Sequence, residues 1–517
     1  MRSREKRTVL LLKSSKKVKN TLSVIFIIAL FIDTALSGML AWFEDSFGVT
    51  FREIIYTIKS PLSGANSDFL LGAVRYVVPK LVVFVVILVA VILFMGIGRY
   101  LSVDLILTGR TGRTKKADLL NVVFGLIVVI TVGYSAKVIS DINSKLEITR
   151  FISEYNARTE LYEDYYVIPD CNAITADRPK NLLYIYLESM ETTYASRDVG
   201  GEQPEINYIP NLTRMAEENV SFSDEEGLGG FISAADTDWT MAAIWATQTG
   251  AAFNFPIEGN SDLSDRENFA KNTVTLGDIL QQKGYYQEFL CGSDATFGGR
   301  KEFFEQHGDF RIYDLYTAEE EGYLTPEEEV NWGVEDWLLY EIAKDELTRI
   351  AAEDTPFDFT MLTVDTHHFD GWICPLCEDT YPGQLANVMV CADRQINDFI
   401  EWCKLQDWYD DTVIVIQGDH PRMDQSLVSD AKDRMVYNCF LNTGYDAAKL
   451  NMKNRQFNTM DLFPTVLAAV GYDVPGNRLG LGTNMFSGEE TLCEELGSDY
   501  IDTEVVKYSQ FYADNFY

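Results

Sequence analysis

Three places in the chain put carboxylate and imidazole donors where chemistry could use them. Glu188 closes the apolar run NLLYIYLE, Asp419 and His420 close TVIVIQGDH, and LTVD runs into Thr366, His367 and His368. The sequence holds four histidines, at 307, 367, 368 and 420, so three of the four follow runs that read as strands. Glu188, Asp419 and His420 together offer two hard carboxylates and one imidazole, a donor set for Mn²⁺, Mg²⁺ or Zn²⁺. A threonine hydroxyl bound to such an ion loses its proton more easily and becomes a usable nucleophile. The stretch AADTDWTMAAIW, 234–245, supplies a candidate in Thr237, which stands between two aspartates just ahead of a helical run. Asp and Thr are also common helix N-caps. A helix start favours a phosphate through its free N–H groups, so the cap and the nucleophile meet at the same position. Asp236 and Asp238 are read as acids at the helix N-terminus rather than as ligands.

Positioning these groups requires a sheet whose strand ends come together. From residue 181 onward, short β-type runs alternate with helix-type segments. Strands are expected at 181–188, 285–292, 357–365, 412–419 and 437–442, and helices at 237–247, 276–283, 334–351, 385–404 and 461–470. Continuous apolar strands separated by helices indicate a mostly parallel sheet covered on both faces. In such sheets ligands gather at the carboxyl ends of the strands, where the three donor groups lie. The expected fold class is N-terminal transmembrane helices followed by this α/β domain.

The first 150 residues carry 20 Lys and Arg against 10 Asp and Glu, the remainder 23 against 68, for a net charge of −35. The acidic part argues against nucleic acid as a partner. The basic part holds three apolar stretches, at about 21–43, 77–98 and 119–139, each long enough for a helix across about 30 Å of hydrocarbon. The positive-inside rule puts the N-terminus and the basic loop between the second and third spans in the cytoplasm. Everything after about residue 140 is then extracytoplasmic, on a multi-pass cell-membrane protein. Asp33 lies within the first span, and Arg75 and Lys80 are its expected partners. The expected divisions are a membrane anchor over 1–140, a stalk over 141–180, a catalytic domain over 181–485 and an acidic tail over 486–517. All eight cysteines lie after residue 150, a placement that fits disulfides outside the cytoplasm. Cys374 and Cys377 are expected either to pair with each other or to close the loop after His368. A zinc site is the lesser expectation, since no second Cys-x-x-Cys follows.

The order of Glu at the end of a first strand, Thr before a helix and Gly-Asp-His after a late strand resembles the alkaline phosphatase/sulfatase superfamily. FNTMDLFPTVLAAVGYDVPG, 457–476, resembles the Asp-x-x-Pro-Thr helix of those domains. YLESME, DTDWTMAAIWATQTG, LTVDTHHFDG and GGRKEFFEQHGD resemble the lipoteichoic acid synthase and phosphoglycerol transferase branch, closest to the membrane-anchored enzymes that act on periplasmic glucans. The resemblance implies one Mn²⁺, or Mg²⁺ or Zn²⁺, held by Glu188, Thr237, Asp419 and His420. It implies that Thr237 attacks phosphatidylglycerol, releases diacylglycerol and passes glycerophosphate to a glycan or teichoic acid acceptor. Arg300 would share the phosphoryl oxygens, and His368 would contact the phosphoglycerol or serve as acid/base, with His367 as alternate. Phosphoethanolamine transfer and water-consuming phosphodiesterase or phosphatase chemistry are the alternatives within the superfamily. Two departures stand out. Gly298 occupies the place of an aromatic residue two positions before the arginine, and the Cys-x-Pro-x-Arg motif of sulfatases is absent.

Overall fold

The computed structural model describes residues 24–43, 68–100, 104–108, 114–254, 269–270, 272–330, 332–367, 370–423, 426–428 and 434–516. His368 therefore lies outside the described residues. The described residues divide into two compact units, one running to residue 149 and the other beginning at Arg150.

The first unit contains three helices long and apolar enough to cross a membrane: α1 (Val24–Phe43), α2 (Asp68–Tyr100) and α3 (Leu119–Leu146). Their valines and isoleucines are largely exposed, Val86 at 63% and Val129 at 69%, as an apolar solvent would favour. Asp33 is buried and accepts a hydrogen bond from Ser135 Oγ on α3. Lys80 instead donates to Ser37 O at 2.7 Å and to Ser37 Oγ at 3.1 Å. A neutral hydroxyl thus takes the place expected of Arg75 or Lys80. Between α2 and α3 the basic segment forms an antiparallel pair, β1 (Asp104–Thr108) with β2 (Thr114–Asp118), where only a loop was expected.

The second unit is built on a six-stranded sheet. Its strands are β3 (Asn181–Leu187), β4 (Tyr286–Cys291), β5 (Arg311–Tyr313), β6 (Phe357–Leu362), β7 (Thr412–Gly418) and β8 (Asn438–Leu441), in the spatial order β8-β7-β3-β6-β4-β5. Only β8 runs antiparallel to its neighbour; every other pairing is parallel. Alternate residues feed opposite faces, as the strand period of two requires. Leu182, Tyr184 and Tyr186 join one core with Trp245 and Val466. Leu183, Ile185 and Leu187 join the other with Leu339 and Met389. The covering helices are α4 (Pro210–Glu218), α5 (Thr240–Thr249), α6 (Leu276–Gln282), α7 (Arg300–Gln306), α8 (Asp336–Ala351), α9 (Gln384–Cys403) and α10 (Leu462–Val470). The short edge strand β5 escaped the sequence reading because its three residues, Arg-Ile-Tyr, carry no apolar run.

The expected stalk and tail are redrawn by the structure. Leu161, Tyr162 and Ile174 are buried in the same core as Trp245, and so are Ile501, Tyr512 and Phe516 from the C-terminal helices α11 (Leu492–Leu496), α12 (Ser498–Val505) and α13 (Gln510–Phe516). Tyr162 and Tyr512 pack edge to face with ring centroids 5.1 Å apart. The acidic composition of 486–517 concealed its apolar stripe, and the folded unit extends from about residue 150 to 516.

Candidate active site

The site lies where the sheet order reverses, at the carboxyl ends of the central strand β3 and its neighbour β7. Parallel pairing sets Leu187 beside Gly418, so the next residues, Glu188 and Asp419, emerge side by side. Gly418 is required there: a Cβ would stand 1.9 Å from Met190 O. Ser189 turns the chain with φ 52°, a strained conformation for a non-glycine residue. The turn lets its backbone N–H donate to Asp419 Oδ1 at 2.8 Å and its hydroxyl to Glu188 Oε1 at 2.6 Å. His420 N–H also donates to Asp419 Oδ1, at 2.8 Å.

Glu188, Asp419 and His420 are fully buried, with one donor atom from each within 4.8 Å of the others. His420 Nε2 stands 3.3 Å from Asp419 Oδ2 and 3.8 Å from Glu188 Oε1. Its Nδ1 lies 2.8 Å from Pro421 O, a carbonyl that can only accept, so Nδ1 carries a proton and Nε2 is the ring nitrogen turned to the carboxylates. Asp419 Oδ2 has no hydrogen-bond partner among the described residues. A buried carboxylate oxygen left in that state is costly, and a cation shared with Glu188 and His420 Nε2 removes the cost. The residues fit a divalent ion. Burial, and then the Glu188 charge, push the Asp419 carboxyl up to about 7. Burial also opposes ionisation of Glu188 and His420. His367 and His420 nonetheless hold Glu188 below its usual range, while Asp419 and Glu188 hold His420 above its own.

Besides the Ser189 hydroxyl, which is spent on Glu188, the hydroxyl of Thr240 faces this cluster. Its Oγ1 lies 3.4 Å from Glu188 Oε2 and 3.4 Å from His420 Nε2. Thr240 is the first residue of α5, whose N-cap, Trp239, makes no side-chain cap and whose first turn holds no acid. Its N-terminal N–H groups are thus available to an anion. Thr237 is not brought to the cluster. Its hydroxyl donates to Ala234 O at 2.8 Å and shares a 2.9 Å hydrogen bond with Thr459 Oγ1. It sits in a turn begun by Asp236 at φ 58°, three residues before the helix, so the cap expected of it is not formed, and its hydroxyl is engaged by Ala234 and Thr459 instead of the cluster.

Arg300 opens α7 after a turn in which Gly298 and Gly299 have φ of 70° and 78°. That left-handed turn favours glycine and accounts for Gly298 where related enzymes were expected to carry an aromatic. A Cβ on Gly298 would touch Met241 Cβ at 3.6 Å, so the turn packs on the residue after Thr240. Arg300 is buried and held by Phe297 O, Asp294 O and Ser293 Oγ at 2.9–3.0 Å. No carboxylate among the described residues pairs with it, which leaves its charge for an anion. His367 is half-buried, with its ring 4.8 Å from that of Trp332.

Several positioning groups had no sequence signal of their own. Asp336, at the start of α8, accepts from Val364 N at 2.7 Å and Asp365 N at 3.1 Å, and so holds the turn that carries His367. Thr363 Oγ1 accepts from Glu188 N at 3.0 Å. Buried Glu191 accepts from Arg422 N at 3.0 Å and Arg434 Nε at 2.9 Å, which ties the segment after Asp419-His420 back to the end of β3.

A sequence profile of the Sulfatase family matches residues 180–472. Phosphoglycerol transferase I of Salmonella choleraesuis is 34% identical over 334 residues, 63% of this chain and 41% of that protein. The chain thus spans about two-fifths of the length of the curated relatives it matches. Among solved structures, the lipoteichoic acid synthase LtaP from Listeria monocytogenes is 17% identical with a TM-score of 0.47, over 67% of this chain and 97% of that one. A protein in the alkaline phosphatase superfamily from Vibrio parahaemolyticus is 20% identical with a TM-score of 0.46, over 65% and 77%. The profile match covers more than half of the sequence, and the chain belongs to the Sulfatase family.

Proposed function

We propose that the chain is a membrane-anchored phosphoglycerol transferase. It moves glycerophosphate from phosphatidylglycerol to a hydroxyl of a glycan or teichoic acid acceptor at the extracytoplasmic face, through a covalent intermediate on Thr240. The observation that carries this reading is the Thr240 hydroxyl, set at an uncapped helix start 3.4 Å from both Glu188 and His420. The similarity to phosphoglycerol transferase I supports the choice of donor. Glu188, Asp419 and His420 would hold the cation, with Mn²⁺ our first choice, and Thr240 replaces Thr237 as the fourth protein donor. A divalent ion at these residues lowers the proton affinity of the hydroxyl and offsets phosphoryl charge.

Thr240 Oγ1, reacting as the alkoxide that the second half-reaction restores, forms a bond to phosphorus, and the bond from phosphorus to the diacylglycerol oxygen breaks. His367 or His368 gives that oxygen its proton. The acceptor hydroxyl then attacks phosphorus, its proton returns to the imidazole, and Thr240 is released. Arg300 and the first N–H groups of α5 bind the phosphoryl oxygens throughout.

The test uses the full chain in phosphatidylglycerol-containing micelles with Mn²⁺. A glycerophosphoryl adduct mapped to Thr240, with diacylglycerol released, is the expected result. An adduct from phosphatidylethanolamine alone would change the donor, and an adduct on Thr237 would overturn the assignment of the nucleophile.

A further inference from the structure

The loop after His367 and the second turn of α9 bring three cysteines together. Cys374 Sγ lies 3.7 Å from both Cys377 Sγ and Cys391 Sγ, and all three sulfurs fall within 4.8 Å of one another. Cys377 N–H donates to Cys374 O at 3.0 Å, a tight turn that aims the two sulfurs of Cys-Pro-Leu-Cys the same way. Cys391 supplies the ligand whose absence from the sequence pattern had made zinc the lesser expectation. It lies 14 residues on, within a helix, and only the fold shows that it faces the pair.

Three features separate this cluster from ordinary buried thiols. First, Cys374 and Cys391 are buried yet belong to neither apolar core, unlike Cys403 and Cys439. Second, polar donors converge on the sulfurs. Gln395 Nε2 stands 3.3 Å from Cys391 Sγ and 3.7 Å from Cys374 Sγ, and Arg394 NH2 is 3.8 Å from Cys391 Sγ. N–H donors and a guanidinium stabilise thiolate over thiol. Third, the spacing matches metal ligation. A tetrahedral ion with Zn–S bonds of about 2.3 Å holds its sulfurs about 3.8 Å apart, whereas a disulfide requires about 2.05 Å.

We propose that Cys374, Cys377 and Cys391 hold a zinc ion, with the half-exposed Cys377 side left for a fourth ligand from solvent. Binding turns three thiols into three thiolates and releases three protons to solvent. The site carries one net negative charge, and Arg394 lies beside it. The ion pins the loop that follows His367 to α9. That loop is otherwise tied to the active-site turn by Trp372 N–H to Asp365 O at 2.7 Å and Gly371 N–H to His367 O at 3.1 Å.

The test is cobalt substitution of the full detergent-purified chain, alongside zinc and thiol counts. Co²⁺ is expected to give intense sulfur-to-metal charge-transfer bands and tetrahedral d–d bands. These bands should vanish in Cys374→Ser and in Cys391→Ser, and persist in Asp419→Asn, which alters the other cation site. Zinc content should fall by one ion per chain in each of the two cysteine variants. The wild-type spectrum decides the matter even if a variant fails to fold. Absence of the bands with all eight cysteines alkylated after denaturation overturns the proposal, and so does a chain two hydrogens lighter with a disulfide mapped to this cluster.

Discussion

Thr237 and Thr240 stand three residues apart, and their separate substitution by valine should split stability from catalysis. Valine keeps the shape of threonine and removes the hydroxyl. In Thr237→Val the lost group is fully buried and bonded to Ala234 O and Thr459 Oγ1. Ala234 O keeps the Thr237 N–H at 2.9 Å, and Thr459 Oγ1 keeps only a long contact to Ile232 O at 3.4 Å. The cost is then about 1.5 kcal/mol, one buried hydrogen bond with a partner left poorly satisfied. With an unfolding entropy of ~2.1 cal/mol/K per residue over the roughly 370 residues of Arg150–Tyr517, Tm should fall by about 2 °C, with kcat within about twofold of wild type. In Thr240→Val the lost hydroxyl makes only two 3.4 Å contacts. Tm should move by less than about 1 °C, while kcat falls by roughly 10⁴–10⁶-fold, as for loss of a covalent nucleophile. Scanning calorimetry and diacylglycerol release measure the two effects on the same preparations. A folded Thr237→Val protein that has lost turnover, beside a Thr240→Val protein that keeps it, would refute the reasoning.

Arg300→Lys keeps the charge but loses the planar fork, and about 2–3 kcal/mol of transition-state binding with it. The expected fall in kcat/KM is roughly 30–150-fold, and a change below about threefold would remove Arg300 from phosphate binding. Asp358 is buried in β6 with its Oδ2 lacking a hydrogen-bond partner among the described residues. Burial pushes its carboxyl up to about 7 despite the Thr360 hydroxyl at 2.9 Å. The folded chain therefore holds a proton that the unfolded chain releases near 3.9. This contribution, on the order of 4 kcal/mol, is complete below that value and is lost as pH rises through about 7. Asp358→Asn should flatten that decline, and a variant whose Tm falls between pH 5 and pH 8 as steeply as wild type would contradict the assignment. Ending the chain at residue 496 removes buried Tyr512 and Phe516, the latter 5.7 Å from Trp245. The expected loss is at least about 5 kcal/mol, or roughly 6 °C; an unchanged Tm would restore the reading of 486–517 as a tail.

The sheet was legible because its strands are continuous apolar runs, and the clustering of Glu188, Asp419 and His420 was legible because they follow those runs directly. Four of the five expected strands match within a residue or two at each end, and the fifth, at 357–365, ends three residues early because Thr363–Asp365 turn towards Asp336. The placement of Thr240, rather than Thr237, beside the cluster has a local cause. DTDWT offers two threonines ahead of one helical run, and cap preference chooses the one flanked by aspartates. The positive φ of Asp236 starts a turn that spends Thr237 on Ala234 and Thr459 and delays the helix to Thr240. One cue was present in the sequence: Thr240 is followed at once by the small, apolar run Met-Ala-Ala-Ile that a helix packed on a sheet requires. Thr363 and Gly418 lie inside motifs the sequence displays, but their roles, like that of Asp336, depend on contacts across strands, which no local pattern encodes.

The seam between the segment after α3 and the C-terminal helices has a bearing on how the domain assembles. Ser509 Oγ meets the Glu163 carboxylate at 3.1 Å across 346 residues of chain. Closing a loop of that length costs about 5 kcal/mol of chain entropy, repaid only when Tyr162, Tyr512 and Phe516 have docked behind Trp245. This closure belongs late in folding, after the more local strand pairings. Until it occurs, the helix that presents Thr240 lacks its backing, so the Thr240 hydroxyl should be among the last groups in the domain to reach its place beside Glu188 and His420.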